Sequence, residues 1–314
     1  MTAWKHMRRD VRDCKPCSKK LLKKMQDAMI IDKANAGKIS FVISSYNEPD
    51  LENTLGSIVA STDGPIEMMV VDDASRIFWR LPPPEAAIRN ARRIGSPRCR
   101  QLGCVKARGD YVAITDAHMR FNPGQFRTLT AIAEATGGWA YAGCNSHKAA
   151  ELRMMPDGLL YAKWFKPEGR VQTSAMMGAC YVIRRDVLMR MGGWIGLPGY
   201  LGSQELAMSI LAARHNVPIT VDTSLESWHQ FREDNELPYR PAPDLFLLNM
   251  AATYRLLFDD PAWAMWRKRL AQLMPESILR SAESPELLDY GQKLRARFVV
   301  SDKEFMERFG GLTA

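Results

Sequence analysis

The sequence has 314 residues, 46% of them hydrophobic and 25% charged, with a formal net charge of +8. This composition is typical of a globular chain and excludes a disordered one, and no window approaches the 18 apolar residues of a membrane-spanning helix. The positive charge favours a polyanionic partner, such as nucleic acid or a phosphorylated substrate. The first 24 residues carry charges without an apolar stretch, which argues against a secretory signal.

Residues 1–36 are predicted to form a basic N-terminal arm that includes a basic amphipathic helix. Such a helix either contacts nucleic acid or is simply solvated. Cys14 and Cys17 have the spacing of half a zinc ribbon, but no second Cys-x-x-Cys follows, so zinc at this pair is disfavoured. Six scattered cysteines are too few for a disulfide framework, which favours reduced thiols and a cytoplasmic location.

Residues 37–260 are predicted to form an α/β domain, and its first half has the pattern of a nucleotide-binding fold. Strands at 39–44 and 66–71 enclose a helix at 51–61, a βαβ unit that implies parallel strands and a right-handed crossover. Residues 76–94 are expected to be a loop followed by a basic helix or turn. A helix at 97–108 then leads to a buried strand at 111–115.

The second half is more mixed. A helix is predicted at 128–135, strands at 139–144, 158–164, 171–174 and 178–183, and helices at 186–191 and 204–215. A short strand at 219–221 follows, and the chain is predicted to be helical from Asp244 onward. Residues 261–314 are therefore predicted to be a helical C-terminal extension, acting as a packed lid or as a dimer element.

The most informative segment is Asp116-Ala117-His118, at the end of the strand predicted at 111–115. In an extended backbone residues i and i+2 point to the same side, so Asp116 and His118 can converge on one ion. Open α/β sheets bind their ligands at this end of their strands. A carboxylate and an imidazole can hold Mn²⁺ or Mg²⁺ against a diphosphate. Glu48 and Asp73 follow two other predicted strands in the same way.

Two common nucleotide motifs are missing from the sequence. It has no Gly-x-x-x-x-Gly-Lys-Ser/Thr, which disfavours phosphoryl transfer of that type. It also has no Gly-x-Gly-x-x-Gly after the first predicted strand, which argues against a nicotinamide enzyme.

Taken together, several segments resemble the glycosyltransferases of GT-A fold, and most closely the catalytic domain of polypeptide N-acetylgalactosaminyltransferases. The resemblance covers about residues 38–260 and rests on the segments Ser44–Ser75, Gly95–Gly103, Asp116–His118, Trp228–Arg232 and Asn249–Asp260. It implies a doubly wound, Rossmann-like mixed sheet flanked by helices. It also implies a UDP-sugar donor and a divalent metal, manganese or magnesium.

Carried over residue by residue, the resemblance implies a metal site of Asp116, His118 and His229. It implies that the uridine and the diphosphate are bound by a set of polar side chains: Ser44, Glu48, Asp73 and Arg93. It further implies that Gly178 approaches the sugar, and that Arg232 and Tyr239 meet the diphosphate from a closing loop.

The sequence departs from the family at Leu201-Gly202-Ser203-Gln204, where the family has tryptophan, two glycines and glutamate. Gln204 replaces a carboxylate that faces the donor sugar in the family, so the sugar is expected to differ. Glu205 is a candidate base for an inverting reaction, or merely a carboxylate at a helix N-terminus. The Asp-x-His and His-x-Phe-Arg pattern favours retention. The family's membrane anchor and lectin domain have no counterpart in this sequence.

These observations predict a manganese-dependent glycosyltransferase that uses a UDP-sugar, with hydroxymethylated bases in viral DNA as the favoured acceptor. A protein acceptor, or one of lipid or cell-wall type, is the alternative. A second alternative is a non-catalytic module that binds nucleotide-sugars or nucleic acid. The intact set of three metal ligands favours the enzyme. The sequence leaves the oligomeric state open.

Overall fold

The computed structural model describes residues 15–16, 37–76, 79–80, 87–145, 149–177, 179–233, 236–237, 239–240 and 242–309. The predicted amphipathic helix, the Cys14/Cys17 pair and Gly178 lie outside the described residues. Within these ranges, no helix is both long enough and apolar enough to cross a membrane.

The first half of the chain alternates strands and helices. Its elements are β1 (Lys15–Pro16), β2 (Ile39–Ser45), α1 (Leu51–Ser61), β3 (Ile66–Asp72), β4 (Trp79–Arg80), β5 (Ala87–Arg89), α2 (Ser96–Lys106), β6 (Tyr111–Thr115), β7 (Met119–Arg120), α3 (Gln125–Thr136) and β8 (Trp139–Cys144).

The second half begins with strands and ends in helices. Its elements are β9 (Ala149–Met154), β10 (Leu160–Phe165), β11 (Arg170–Thr173), β12 (Cys180–Arg184), α4 (Arg185–Arg190), α5 (Gln204–Arg214), β13 (Ile219–His229), α6 (Pro243–Leu257), α7 (Asp260–Leu270), α8 (Glu276–Ala282), α9 (Pro285–Arg295) and α10 (Asp302–Phe309).

A mixed nine-stranded sheet forms the centre of the fold, in the order β11-β13-β8-β12-β6-β2-β3-β5, with β7 paired to β13. Strands β6, β2, β3 and β5 are parallel, as the βαβ pattern predicts, whereas β12 runs antiparallel to both β6 and β8. Because β2, β3 and β6 are parallel, their carboxyl ends lie at one edge of the sheet. The expected mixed α/β architecture is therefore confirmed.

Helices cover both faces of this sheet. On β2, Phe41 belongs to the cluster that packs against α1 and α3, and its ring lies 4.7 Å from that of Phe126. The adjacent Val42 belongs to the larger cluster on the other face, together with residues of α2, α5 and the C-terminal helices. Alternate residues of a strand point to opposite faces, so a strand covered on both sides is apolar throughout.

The C-terminal helices share this larger cluster. The ring of Trp266 on α7 lies 4.6 Å from that of Tyr254 on α6 and 5.5 Å from that of Phe258. The helical character predicted for this region is confirmed. The domain boundary at residue 260 stays a prediction.

Several details of the predicted secondary structure are wrong. The strand predicted at 219–221 continues to His229 as β13, and residues 87–89 form strand β5 where a loop or helix was expected. Strand β9 was not predicted at all. The second half of β13 is mostly polar, and its exposed residues alternate with partly or fully buried ones. Backbone pairing to β8 and β7 holds it in place. Such tertiary pairing leaves little hydrophobic pattern in the sequence.

Candidate metal and donor site

Asp116, His118 and His229 offer three ligand atoms that lie within 4.8 Å of one another. Nε2 of His118 is 3.0 Å from Nε2 of His229, which in turn is 3.3 Å from Oδ2 of Asp116. Ligands at right angles on an ion about 2.1 Å away are about 3.0 Å apart, so the spacing suits a small divalent cation. One carboxylate oxygen and two imidazole nitrogens are a suitable donor set for manganese.

The short strand β7 explains how ligands from distant parts of the sequence meet. Asp116 and His118 follow β6, and β7 starts at the next residue. In the antiparallel pairing of β7 with β13, Met119 is opposite His229. The third ligand is therefore delivered by the same long extension of β13 that sequence analysis did not predict.

Glu48 orients His118. Its Oε2 lies 2.9 Å from Nδ1 of His118, which leaves Nε2 of the ring for the metal. Arg232 donates two hydrogen bonds to the same carboxylate, at 2.7 and 2.6 Å. Burial alone would raise the pKa of Glu48, but the bonds from Arg232 and His118 outweigh it and lower the pKa to about 2. Glu48 is therefore ionised at neutral pH.

Asn145 holds His229 through the backbone. The His229 amide donates to Oδ1 of Asn145 at 2.8 Å, and Nδ2 of Asn145 donates to the His229 carbonyl at 3.0 Å. Asn145 follows β8 directly and has a positive φ of 49°, a conformation that asparagine tolerates. Nδ1 of His229 has no hydrogen-bond partner among the described residues. Sequence analysis missed Asn145, because an asparagine after a strand indicates only a turn.

Arg100 on α2 connects the metal site to α5. Its Nη2 donates to Oδ1 of Asp116, its Nη1 lies 3.6 Å from Oε1 of Glu205, and its guanidinium lies 5.3 Å from the ring of Trp194. Burial alone would raise the pKa of Asp116, but the charge of Arg100 and the bond from His229 hold it well below the usual range. The sequence did contain a signal, because Arg100 lies on the same helix face as the buried Gly103 and Cys104.

Glu205 and Gln204 begin α5 behind this cluster. Burial raises the pKa of Glu205, although the charge of Arg100 opposes the shift. Gln204 is buried, and its Oε1 accepts a hydrogen bond from Nε1 of Trp194 at 3.3 Å. Neither residue is among those that line the cavity beside the metal ligands.

That cavity has a volume of about 280 Å³, and it brings together most of the residues predicted to bind the donor. Oδ1 and Oδ2 of Asp73 accept hydrogen bonds from the Ile94 and Gly95 amides at 2.7 and 2.9 Å. Around the cavity lie the predicted residues Ser44, Glu48, Asp73, Arg93, Asp116, His118, His229, Arg232 and Tyr239.

Arg93 lies at the centre of an aromatic cluster in this cavity. Its guanidinium carbon is 4.1 Å from the ring centroid of Tyr46, 4.3 Å from that of Tyr200 and 4.9 Å from that of Tyr239. Its Nε is 3.9 Å from Oδ2 of Asp73. Tyr46 and Tyr200 were not predicted as site residues, although both line this cavity.

Residues 40–192 match the family model described as Glycosyl transferase family 2. The match includes Asp116 and His118 and ends before His229 and Arg232. No curated protein sequence gives a significant match.

The solved structures that share the fold include GalNAc-T7 and TarS. The structure of GalNAc-T7 with UDP, GalNAc and Mn²⁺ has a TM-score of 0.66 and 17% identity, over 87% of this chain and 57% of that one. The chain therefore spans little more than half of that protein's length. The structure of S. aureus TarS 1-349 in complex with UDP-GlcNAc has a TM-score of 0.51 and 15% identity, over 82% of this chain and 90% of that one.

Proposed function

Since residues 40–192 match the family model of glycosyl transferase family 2 and the chain has a GT-A-like fold, we propose that this protein transfers a sugar from UDP to an acceptor hydroxyl. The observation that carries the proposal is the convergence of Asp116, His118 and His229 in a cavity that also contains Arg232. The similar structures of GalNAc-T7 with UDP and Mn²⁺ and of TarS with UDP-GlcNAc support a nucleotide-sugar donor and a divalent ion.

Asp116, His118 and His229 would hold Mn²⁺, or Mg²⁺ in its place. When bound, the ion supplies positive charge that neutralises the diphosphate of the departing UDP. Ser44, Asp73 and Arg93 would bind the uridine side of the donor, with Gly178 close to the sugar. Arg232 and Tyr239 would contact the diphosphate.

Arg232 acts in this proposal as a cation that is positioned before the donor arrives. Its bidentate contact with Glu48 holds the guanidinium at the edge of the cavity, next to His118. A guanidinium fixed in a partly buried site stabilises negative charge that develops on a leaving group, and it needs little reorganisation. Gln204 is buried against Trp194, so we assign it a supporting role behind the sugar site.

We further propose that the transfer retains the configuration of the anomeric carbon. The bond from that carbon to the diphosphate oxygen breaks, a bond to the acceptor oxygen forms on the same face, and the acceptor proton passes to the diphosphate. The rival is inversion with Glu205 as the base, although Glu205 pairs with Arg100 and does not line the cavity. Proton NMR of the product distinguishes them, because only inversion changes the anomeric coupling from that of the donor.

The favoured acceptor is a hydroxymethylated base in DNA, and the net charge of +8 supports a polyanionic partner. Such a base would have to leave the duplex to reach the cavity. A protein, or a lipid or cell-wall acceptor, is the alternative. A cytoplasmic location stays a prediction, in keeping with free thiols at Cys99, Cys104, Cys144 and Cys180.

Hydrolysis of UDP-sugars in the presence of Mn²⁺ tests the donor and the metal together. We expect the Asp116→Asn variant to lose at least about a hundredfold in rate, because a charged ligand is replaced by a neutral one. Lys293→Met on the exposed face of α9 is the control and should keep the wild-type rate. A wild-type rate in Asp116→Asn would exclude the metal assignment.

A non-catalytic module that binds nucleotide-sugars or nucleic acid is the second candidate. It predicts Mn²⁺-dependent UDP binding without hydrolysis or transfer to any acceptor.

For the DNA acceptor, replacing Lys19, Lys20, Lys23 and Lys24 with glutamine should weaken use of hydroxymethylated DNA and flatten its salt dependence. If that variant used hydroxymethylated DNA as well as the wild type does, the basic arm would have no role in binding the acceptor.

A further inference from the structure

A second cavity, of about 370 Å³, adjoins the donor cavity. The two share Arg93, Tyr200, Leu201, Leu237 and Tyr239, so a group bound in one lies next to a group bound in the other. The volume is within the range of small-molecule sites. The donor cavity is rich in charged groups, whereas the other walls of this second cavity are mainly apolar, and they include Pro243, Leu245, Phe246 and Leu247.

The loop that forms one wall is fixed from behind by the fully buried Asn249 of α6. The Gly199 amide donates to Oδ1 of Asn249 at 2.5 Å, and Nδ2 of Asn249 donates to the carbonyls of Leu201 and Gly202 at 2.9 and 3.1 Å. Gly202 has a φ of 90°, and a Cβ there would collide with the ring of Phe246. The backbone thus holds Leu201 and Phe246 at defined positions.

Both of these apolar side chains are nevertheless about half exposed, 47% for Leu201 and 46% for Phe246. A large apolar side chain that a rigid backbone presents to a cavity gains free energy when a ligand covers it. Leu201 lines both cavities, so such a ligand would sit beside the donor cavity.

The shared wall favours a planar group. The guanidinium carbon of Arg93 lies 4.3 Å from the ring centroid of Tyr200 and 4.9 Å from that of Tyr239, so one planar cation already lies against these rings. Aromatic rings and guanidinium planes are the surfaces on which proteins stack flat rings. An alkyl chain would use only the apolar part of the cavity and would gain nothing from these faces.

We propose that this second cavity is the acceptor subsite, and that it binds a planar, largely apolar ring that carries the hydroxyl to be glycosylated. Tyr200 and Phe246 contact the ring, and Leu201 lies between it and the donor cavity. The inference rests on the proposed function, because a sugar must be transferred for an acceptor to exist.

Benzyl alcohol and cyclohexylmethanol form a matched pair of probes, because both carry a hydroxymethyl group on a six-membered ring and only one ring is planar. With UDP-glucose, UDP-N-acetylglucosamine and UDP-N-acetylgalactosamine as donors, we expect KM to be on the order of tenfold lower for benzyl alcohol. Equal use of both alcohols would overturn the preference for a planar ring.

Phe246→Ala and Leu201→Ala should each raise the KM for benzyl alcohol on the order of tenfold, with a much smaller change in the KM for the UDP-sugar. Leu273→Ala is the control, because Leu273 is similarly exposed, at 49%, and lies outside both cavities. If KM for donor and acceptor rise together, the cavity belongs to the donor site. Unchanged KM values in both variants would exclude the subsite.

Saturation-transfer NMR with benzyl alcohol reports binding without turnover. If the wild-type protein neither hydrolyses nor transfers any UDP-sugar, the proposed function fails. In that case, a benzyl alcohol signal that is present in the wild type and lost in Phe246→Ala supports a ring-binding cavity but overturns its role as an acceptor subsite. Absence of the signal in the wild type counts against the subsite alone.

Discussion

At the scale of single residues, a different kind of side-chain contact orients each candidate metal ligand. A carboxylate holds the ring of His118, a guanidinium holds the carboxylate of Asp116, and a side-chain amide holds the backbone of His229. Groups around metal ligands fix their geometry and thereby raise the affinity for the ion. The first two contacts are made by the buried charged groups of Glu48 and Arg100, and the third by the neutral amide of Asn145.

Asn145→Gly should weaken Mn²⁺ binding about tenfold to a hundredfold, because His229 loses both bonds to the amide. Glycine is the appropriate replacement at a positive φ, since alanine would add backbone strain. The measurement is an EPR titration of Mn²⁺, which requires no turnover. Asn122→Ala is the control, because its amide also bonds to β13, at the Glu226 carbonyl, but away from the ligand. Equal affinities in the two variants would contradict the role of Asn145.

Glu48→Gln should reduce the free energy of unfolding at neutral pH, by about 3 kcal/mol if the pKa near 2 is set against an ordinary value of 4.5. Because the folded state lowers this pKa, the stabilisation is fully present above pH 4.5 and is lost as the pH falls toward 2. Glutamine resembles the protonated acid, so the difference between the two proteins in urea unfolding should shrink as the pH falls from 4.5 toward 2. Glu168→Gln, at an exposed position, is the control, and its stability should match that of the wild type across this pH range.

At the scale of elements, α2 and β2 fit together where Gly103 faces Val42. A Cβ at Gly103 would collide with Cγ1 of Val42, so the helix approaches the strand at a point where only glycine fits. This close packing sets the position of Arg100, one turn earlier on α2, relative to Asp116, which follows the neighbouring β6. The contact thus couples helix packing to the candidate site.

The elements also show what could be predicted from sequence. Strand β6 and the residues Asp116 and His118 were predictable, because a short apolar strand ends directly in two potential ligands. His229 was found only through resemblance to a family, since the second half of β13 is mostly polar and shows no alternation of hydrophobic and polar residues in the sequence. The roles of Arg100 and Asn145 depend on contacts between residues far apart in the sequence, and a local pattern does not contain that information.

Gly103→Ala should destabilise the fold by about 1–3 kcal/mol, because the added methyl overpacks the contact with Val42. Combining it with Val42→Ala, which makes room on the strand, should cost less than the sum of the two single changes. A double-mutant cycle in urea measures this coupling. Strict additivity would show that the helix moves away instead of straining against the strand.

At the scale of the whole molecule, Arg214 ties the end of α5 to the C-terminal helices. Its fully buried guanidinium donates to the carbonyls of Leu257 and Val300 and forms an ion pair with Asp302. The ring of Phe305 on α10 lies 4.9 Å away. The C-terminal region is thus anchored through one cation as well as through the apolar core.

Arg214→Met should lower the free energy of unfolding by about 3–5 kcal/mol, because it leaves Asp302 and two carbonyls without their partner. Thermal and urea unfolding measure the loss. The exposed pair of Lys293 and Asp289 on α9 gives the control, since Lys293→Met should cost less than about 1 kcal/mol. A loss of similar size in both variants would contradict a special role for the buried pair.

The pairing of β7 with β13 has a consequence for how the protein forms. Asp116 and His118 come from the first part of the chain to be synthesised, whereas His229 lies 111 residues beyond His118. Closing so long a loop is slow, because its entropy is lost before its contacts form. Any affinity of the candidate site for a metal should therefore develop late in folding, so that a bound ion would mark chains whose two halves have already joined.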